Sequence, residues 1–134
     1  MAALLDTRQK ILSWQEAAGR IEQQLAGAPP LRLVTGHFDP LLAAHARALE
    51  AIAAADGRPG VIITEPPNPL LAAEARAELV AALAAVEWVT LAPSSGLAEL
   101  LDRIPRTRLV RTEADHLAIR ADFIARVRSR YSGA

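Results

Sequence analysis

Short runs of strand-forming residues alternate in this chain with longer, alanine-rich stretches of helical periodicity, and that alternation constrains the fold more than any other feature. Residues 31–35 (Leu-Arg-Leu-Val-Thr), 61–64 (Val-Ile-Ile-Thr), 88–91 (Trp-Val-Thr-Leu) and 108–110 (Arg-Leu-Val) read as strands. The continuous apolar run of Val61, Ile62 and Ile63 is the pattern of a strand covered on both faces. Strands separated by helices join in parallel through crossover connections. The expected fold class is therefore α/β, a doubly wound parallel sheet of four or five strands with flanking helices.

The helices carry their own boundary signals. Ser13 followed by Glu16 is a capping box, in which each side chain satisfies a backbone amide at the other residue. Ile21 and Leu25 then recur at helical spacing until Gly27, Pro29 and Pro30 stop the run near residue 26. Asp39 is a good N-cap and Pro40 suits a first helical position, so a second helix is expected from there to about residue 55, ended by Asp56 and Gly57. A helix over 70–85 follows the turn Pro66-Pro67-Asn68-Pro69. A short one over 97–103 follows Pro93-Ser94-Ser95-Gly96, and a last one covers 115–130.

A length of 134 residues suits one domain, 1–134, with a lead-in helix inside 1–27 and the α/β core in 31–134. Much of the 51% hydrophobic content is alanine and aromatics are only 4%, so Leu, Ile and Val must fill the core. Net charge is +0, which gives no overall attraction to nucleic acid or to an anionic membrane, and neither is expected as a partner. The absence of cysteine excludes disulfides, thiol catalysis and zinc–thiolate sites. Asp6, Arg8 and Lys10 interrupt the first residues too early for a signal peptide or a membrane span, and a soluble cytoplasmic protein is expected.

In doubly wound sheets ligands bind beyond the carboxyl ends of the strands, where strand order reverses. The stretch Gly36-His37-Phe38-Asp39-Pro40-Leu41-Leu42-Ala43-Ala44-His45 lies at such an end. It resembles the G-x-F-D-x-x-H-x-G-H signature of the cytidylyltransferase-like nucleotidylyltransferase family, with Gly36, Phe38, Asp39, Pro40 and His45 in register. Leu42 stands in place of the first histidine and Ala44 in place of the glycine. The resemblance is nearest to the heptose-1-phosphate adenylyltransferase (ADP-heptose synthase) branch. It extends through the lead-in Lys10-Ile11-Leu12-Ser13, the turn Asn68-Pro69 and the stretch from Arg76-Ala77-Glu78 to Val89, and so covers most of residues 10–90. It implies a Rossmann-like fold.

The chemistry of the motif is physical. A glycine at a strand end lets the backbone approach a phosphate, and a following helix offers free amides and a positive dipole end. Two histidines three residues apart share one helix face and stabilise charge on the transferred phosphate as pyrophosphate leaves. Leu42 cannot donate a hydrogen bond, and losing one such donor costs on the order of 10²–10³ in rate.

Other departures point the same way. The polar loop usual after the family's second strand is replaced by Thr64-Glu65-Pro66-Pro67. A K-G-x-D-Y-like stretch is replaced by Arg111-Thr112-Glu113-Ala114-Asp115. Ile119-Arg120-Ala121 stands where a serine/threonine turn would hold the nucleotide phosphates.

The resemblance thus implies a degenerate nucleotidylyltransferase-like protein, a pseudoenzyme with weak or no transfer activity. His45 is the candidate catalytic residue, and Gly36, His37, Phe38, Asp39 and Arg120 are the candidates for nucleotide or phosphate binding. The alternatives are an active transferase joining a nucleoside triphosphate to a sugar 1-phosphate with Mg²⁺, or a non-catalytic subunit of a larger assembly with a second copy or another protein as partner.

Several of these residues have a plainer reading. His37 is either a replacement donor or a surface or structural histidine, and Asp39 is a helix cap first. His116 is expected to be solvated or capping. Arg120, Arg126, Arg128 and Arg130 read as a solvated basic face, with Arg120 also placed to bind phosphate. Glu74, Glu78 and Glu99 read as solvated. Ser94-Ser95-Gly96 reads as a helix cap, with an anion cradle as the other possibility.

Overall fold

The computed structural model describes residues 6–27 and 30–132; the start of the lead-in, Pro29 of the helix stop and the last two residues lie outside the described residues. Five strands, β1 (Ile11–Leu12), β2 (Leu33–Gly36), β3 (Gly60–Ile63), β4 (Trp88–Leu91) and β5 (Leu109–Arg111), form one parallel sheet in the order β1-β4-β3-β2-β5. The helices are α1 (Trp14–Ala26), α2 (Ala43–Asp56), α3 (Ala73–Ala81), α4 (Leu97–Asp102) and α5 (Glu113–Ser132). The fold is the Rossmann-like, doubly wound α/β arrangement that the alternation of elements implies.

Successive strand residues enter opposite cores, as the two-residue period of a strand requires. Val34, Val61, Ile63 and Val89 join Phe38, Leu49, Ala77 and Val80 on the face covered by α2 and α3. Leu33, Ile62 and Trp88 join Ala17, Ile21, Leu100 and Leu101 on the face covered by α1 and α4. Each fully buried Leu, Ile or Val contributes about 1.5–3 kcal/mol. Trp88 is seated over Gly60, where a Cβ would run into its indole ring.

The capping box at the start of α1 forms as expected, Glu16 N bonding Ser13 Oγ at 3.1 Å and Ser13 N bonding Glu16 Oε1 at 3.2 Å. Ile11–Leu12 departs from the reading of the lead-in as helix alone. The pair adds a strand to β4, and Thr90 Oγ1 donates to Leu12 O at 2.9 Å. Two residues are too few for a periodic signal, and the neighbouring sheet edge decides their conformation.

The expected start of the second helix at Asp39 and Pro40 is also corrected. The Asp39–Pro40 peptide is cis, the chain runs on irregularly, and α2 begins only at Ala43. α3 is shorter than the expected 70–85 at both ends: the amides of Leu70 and Leu71 bond the Asp39 carboxylate ahead of its start at Ala73, and it stops at Ala81.

From β2 the chain builds β3 and β4 to one side and later places β5 on the other, so strand order reverses between β2 and β5. The carboxyl ends of these strands, followed by the Gly36 turn and the first turn of α5, form the crevice where doubly wound sheets bind ligands. Among the described residues no helix is long and apolar enough to cross a membrane.

Candidate functional site

Gly36 ends β2 at the point of closest approach to α5. A Cβ there would lie 2.5 Å from both His116 Cε1 and Thr112 Oγ1, so only glycine fits. Phe38 follows in the left-handed region at φ +49°, unusual for a bulky residue and costing on the order of 1–2 kcal/mol. A turn of this kind gathers successive amides into a concavity suited to an anion. Here the amides of His37 and Phe38 both donate to one atom, Nδ1 of His116, at 3.0 and 3.2 Å.

His116 is therefore not the solvated or capping residue that its place near a helix start suggested. It is 6% exposed and fills the mouth of the crevice. α5 begins at Glu113, so His116 lies in its first turn, and Gly36 leaves the space that its ring takes. An Nδ1 that accepts two hydrogen bonds must be unprotonated, which puts the ring proton on Nε2 and makes the ring neutral. Burial is the main cause that lowers its pKa; His45 and His37 add to it, and Glu113 opposes it, leaving the value at about 3.

His45, on the first turn of α2, is 3% exposed. Its Nδ1 accepts from Leu42 N at 2.8 Å, so the histidine caps its own helix and carries its proton on Nε2. That Nε2 is buried without a hydrogen-bond partner among the described residues. Burial lowers the pKa of this histidine as well. Its ring meets the His116 ring edge-on at 4.3 Å between centroids, and Phe38 packs against both, at 4.4 Å from His116 and 5.7 Å from His45. Leu42, half-buried at the N-cap of α2, makes no side-chain capping bond.

His37 is buried and turned away from this cluster. Its Nδ1 donates to Thr64 O and Thr64 Oγ1, both at 3.1 Å, which ties the turn to the end of β3. The Thr64 hydroxyl passes a hydrogen bond to Glu113 Oε2 and the Thr35 hydroxyl one to Glu113 Oε1, each at 3.0 Å. Burial raises the Glu113 pKa, but the hydrogen bonds from Thr35, its own backbone and Thr64, with the charge of Arg111, outweigh it and leave the group below the ordinary carboxylate range. Of the two readings given to His37, this arrangement matches the structural one.

Asp39 and Arg120 serve the walls of the crevice. Asp39 is 3% exposed and accepts from the amides of Leu70 at 2.7 Å and Leu71 at 2.8 Å. It caps the entry to α3, not the helix that follows it in sequence. Arg120 bonds Asp39 at 3.2 Å, Asn68 O at 3.3 Å and Pro67 O at 2.9 Å, so its guanidinium clamps α5 to the 67–71 turn instead of facing the amide cradle.

The residue that sequence reasoning passed over is Arg76. It is completely buried and donates to Leu71 O, His37 O and Thr64 O at 3.1 Å each and to Glu65 at 2.9 Å. An arginine inside an alanine-rich helix gives a weak signal, since most are solvated. Its position seven residues after Pro69 is the only local hint that it reaches back under the turn.

Glu74, Glu78 and Glu99 are exposed, as read. The Ser94-Ser95 pair is exposed too, and α4 behind it has Gly96 at its N-cap and no side-chain capping bond. Among the described residues no group of three or more His, Cys, Asp or Glu side chains is arranged to hold a metal ion. The oxygens of Asp39 and Glu113 are taken by amides, hydroxyls and arginines, so this set does not fit a magnesium site.

Beside His45 and His116, between α2 and α5, lies a cavity of about 320 Å³ walled by Ala44, Ala48, Thr112, Ala118 and Ile119 and bordered by Asp115. At this point two amides converge on His116 Nδ1, and the His116 ring packs against His45, whose Nε2 has no partner among the described residues. Comparison with known proteins finds no family model and no curated sequence that matches the chain.

Proposed function

We propose that this chain is a degenerate nucleotidylyltransferase-like protein that binds the phosphoryl end of a nucleotide or sugar phosphate at the Gly36 turn and has little or no transfer activity. The observation that carries the reading is the buried Nε2–H of His45, without a partner among the described residues, on a ring packed against the His116 ring whose Nδ1 two backbone amides converge on. These are the donors an oxyanion needs, at the strand-order reversal where doubly wound sheets bind ligands. Leu42 supports the loss of chemistry, because it sits at the N-cap of the same helix where the motif would place a second imidazole. With one donor missing and no fitting magnesium ligand, little remains to stabilise a departing pyrophosphate. A cytoplasmic location belongs to the same proposal.

The test is calorimetric titration with ATP and with CTP, followed by an assay for pyrophosphate release from either nucleotide with Mg²⁺ and a sugar 1-phosphate. The expected result is weak nucleotide binding that disappears in His45→Ala, with no pyrophosphate release. Magnesium-dependent release above background would restore the active transferase in its place.

The exposed side of α5 favours a second reading as a subunit of an assembly. Leu117, Val127 and Tyr131 are 36%, 41% and 84% exposed along this helix, and Val110 is 42% exposed on the edge strand β5. Sedimentation of the purified chain separates a monomer from a self-associating subunit.

A further inference from the structure

We propose that the His116 imidazole is a displaceable internal ligand that holds the oxyanion site shut, and that a phosphoryl group enters by taking its place. The proposal rests on the reading of the Gly36 turn as a phosphate cradle and adds how that cradle is controlled.

His116 Nδ1 sits where an oxyanion oxygen would sit, accepting from the His37 and Phe38 amides at 3.0 and 3.2 Å. Its ring packs against the His45 ring at 4.3 Å, so it covers the imidazole whose Nε2–H has no partner. A neutral nitrogen satisfies two donors and leaves the third unmet. A phosphate oxyanion presents several charged acceptors, and hydrogen bonds to a charged acceptor are roughly twice as strong as neutral ones. Exchange of ring for phosphate therefore keeps both amide bonds, strengthens them and adds one to His45.

The displaced ring has somewhere to go. The cavity of about 320 Å³ is lined by His116 itself, together with Asp115, whose carboxylate is an acceptor for a ring N–H that moves into it. The carboxylates nearest in the network each have an arginine partner, Asp39 with Arg120 and Glu113 with Arg111, which offsets part of the charge they set against an entering anion. In the shut state the apparent affinity is the intrinsic affinity multiplied by the fraction of molecules with the ring swung out. Gating of this kind needs no change elsewhere in the sheet.

The experiment follows the His37 and Phe38 amides and the His116 ring nitrogens by NMR while inorganic phosphate, and separately ATP without metal, is added to the full chain. His116→Ala removes the internal ligand. His116→Asn keeps an acceptor, because Oδ1 falls where Nδ1 sits, and serves as the shut control.

His116→Ala is expected to bind phosphate at least about tenfold more tightly than the wild type. His116→Asn is expected to match the wild type, and His45→Ala on the His116→Ala background to lose the gain. In the wild type, phosphate is expected to move the His116 Nδ1 resonance together with the two amides. Equal affinity in wild type and His116→Ala overturns the gate and leaves the cradle standing. Amides that shift while Nδ1 stays fixed do the same, and this reading holds even where the alanine variant does not fold. No change in either amide or in Nδ1 of the wild type at high millimolar phosphate overturns gate and cradle together.

Discussion

His116 makes the stability of this fold depend on pH between about 3 and 6.5. Its Nδ1 must stay unprotonated to receive the amides of His37 and Phe38, and burial together with His45 and His37 lowers its pKa from 6.5 to about 3 in spite of Glu113 on the same helix. Between those values the unfolded chain binds a proton that the folded chain does not. Stability therefore rises with pH from about 3 to 6.5, levels off above, and is lost as pH falls.

One proton of difference is worth about 1.4 kcal/mol per pH unit, so moving from pH 7 to pH 5 removes about 2 kcal/mol through His116. His45, lowered by its own burial, adds to the loss in the same direction. Glu113, held below the ordinary carboxylate range, contributes stability that begins to be lost only as pH falls below 4.5, beneath the interval from pH 7 to pH 5. Urea unfolding at pH 7 and pH 5 measures the effect, with His116→Asn as reference because it keeps the acceptor and cannot titrate. The wild type should lose about 2 kcal/mol more than the variant over this interval. Parallel losses in the two proteins would mean that His116 takes up its proton in the folded state, and the argument for a neutral, amide-bound ring would fail.

Gly36→Ala places a methyl group 2.5 Å from His116 and Thr112 and should cost about 1–3 kcal/mol in thermal unfolding while releasing the His37 amide, visible as a shift of its NMR resonance. Arg76→Ala removes a fully buried guanidinium and strands the carbonyls of Leu71, His37 and Thr64; a loss of about 3–5 kcal/mol is expected, and denaturation that matches the wild type would show those carbonyls to be hydrated instead. Arg120→Ala frees Asp39 and the 67–68 carbonyls, so stability should fall by about 1–3 kcal/mol with phosphate affinity unchanged; a selective loss of affinity would make Arg120 a ligand-binding residue after all.

The layered architecture was legible because it depends on patterns that the chain repeats. Val34, Val61 and Val89 face one core while Leu33, Ile62 and Trp88 face the other, and the cap signals at Ser13 and Glu16 are satisfied as written. The site was legible only where one short stretch carries it. His45 could be placed by its neighbours, but His116 lies 71 residues further on and looked like any polar residue near a helix start. Its burial follows from which strand lies beside β2, and that is a property of the assembled sheet. Asp39 went wrong for a related reason. Asp-Pro before an apolar stretch has the chemistry of a cap, yet the amides it reaches belong to Leu70 and Leu71. Local propensity supplied the right function for the side chain and the wrong helix.

Each motif residue also has a reason internal to the chain. Gly36 makes room for His116, Phe38 turns two amides toward one point, Asp39 caps the 70–71 turn, and His45 caps α2 through Nδ1. Folding alone could keep all of them after transfer chemistry is lost, so the motif match does not separate binding from mere architecture. His45 Nε2 does, because it is buried and has no hydrogen-bond partner among the described residues. An unmet donor of this sort costs on the order of 1–3 kcal/mol, which a ligand oxygen would relieve. ATP without metal should therefore raise the melting temperature of the wild type. At ten times Kd the stabilisation is about 1.4 kcal/mol, or a few degrees for a chain of this size. In His45→Ala the shift should vanish. If thermal scans show the same rise in both proteins, nucleotide binds elsewhere; if neither melts higher at millimolar ATP, His45 is a helix cap and the crevice is closed for good.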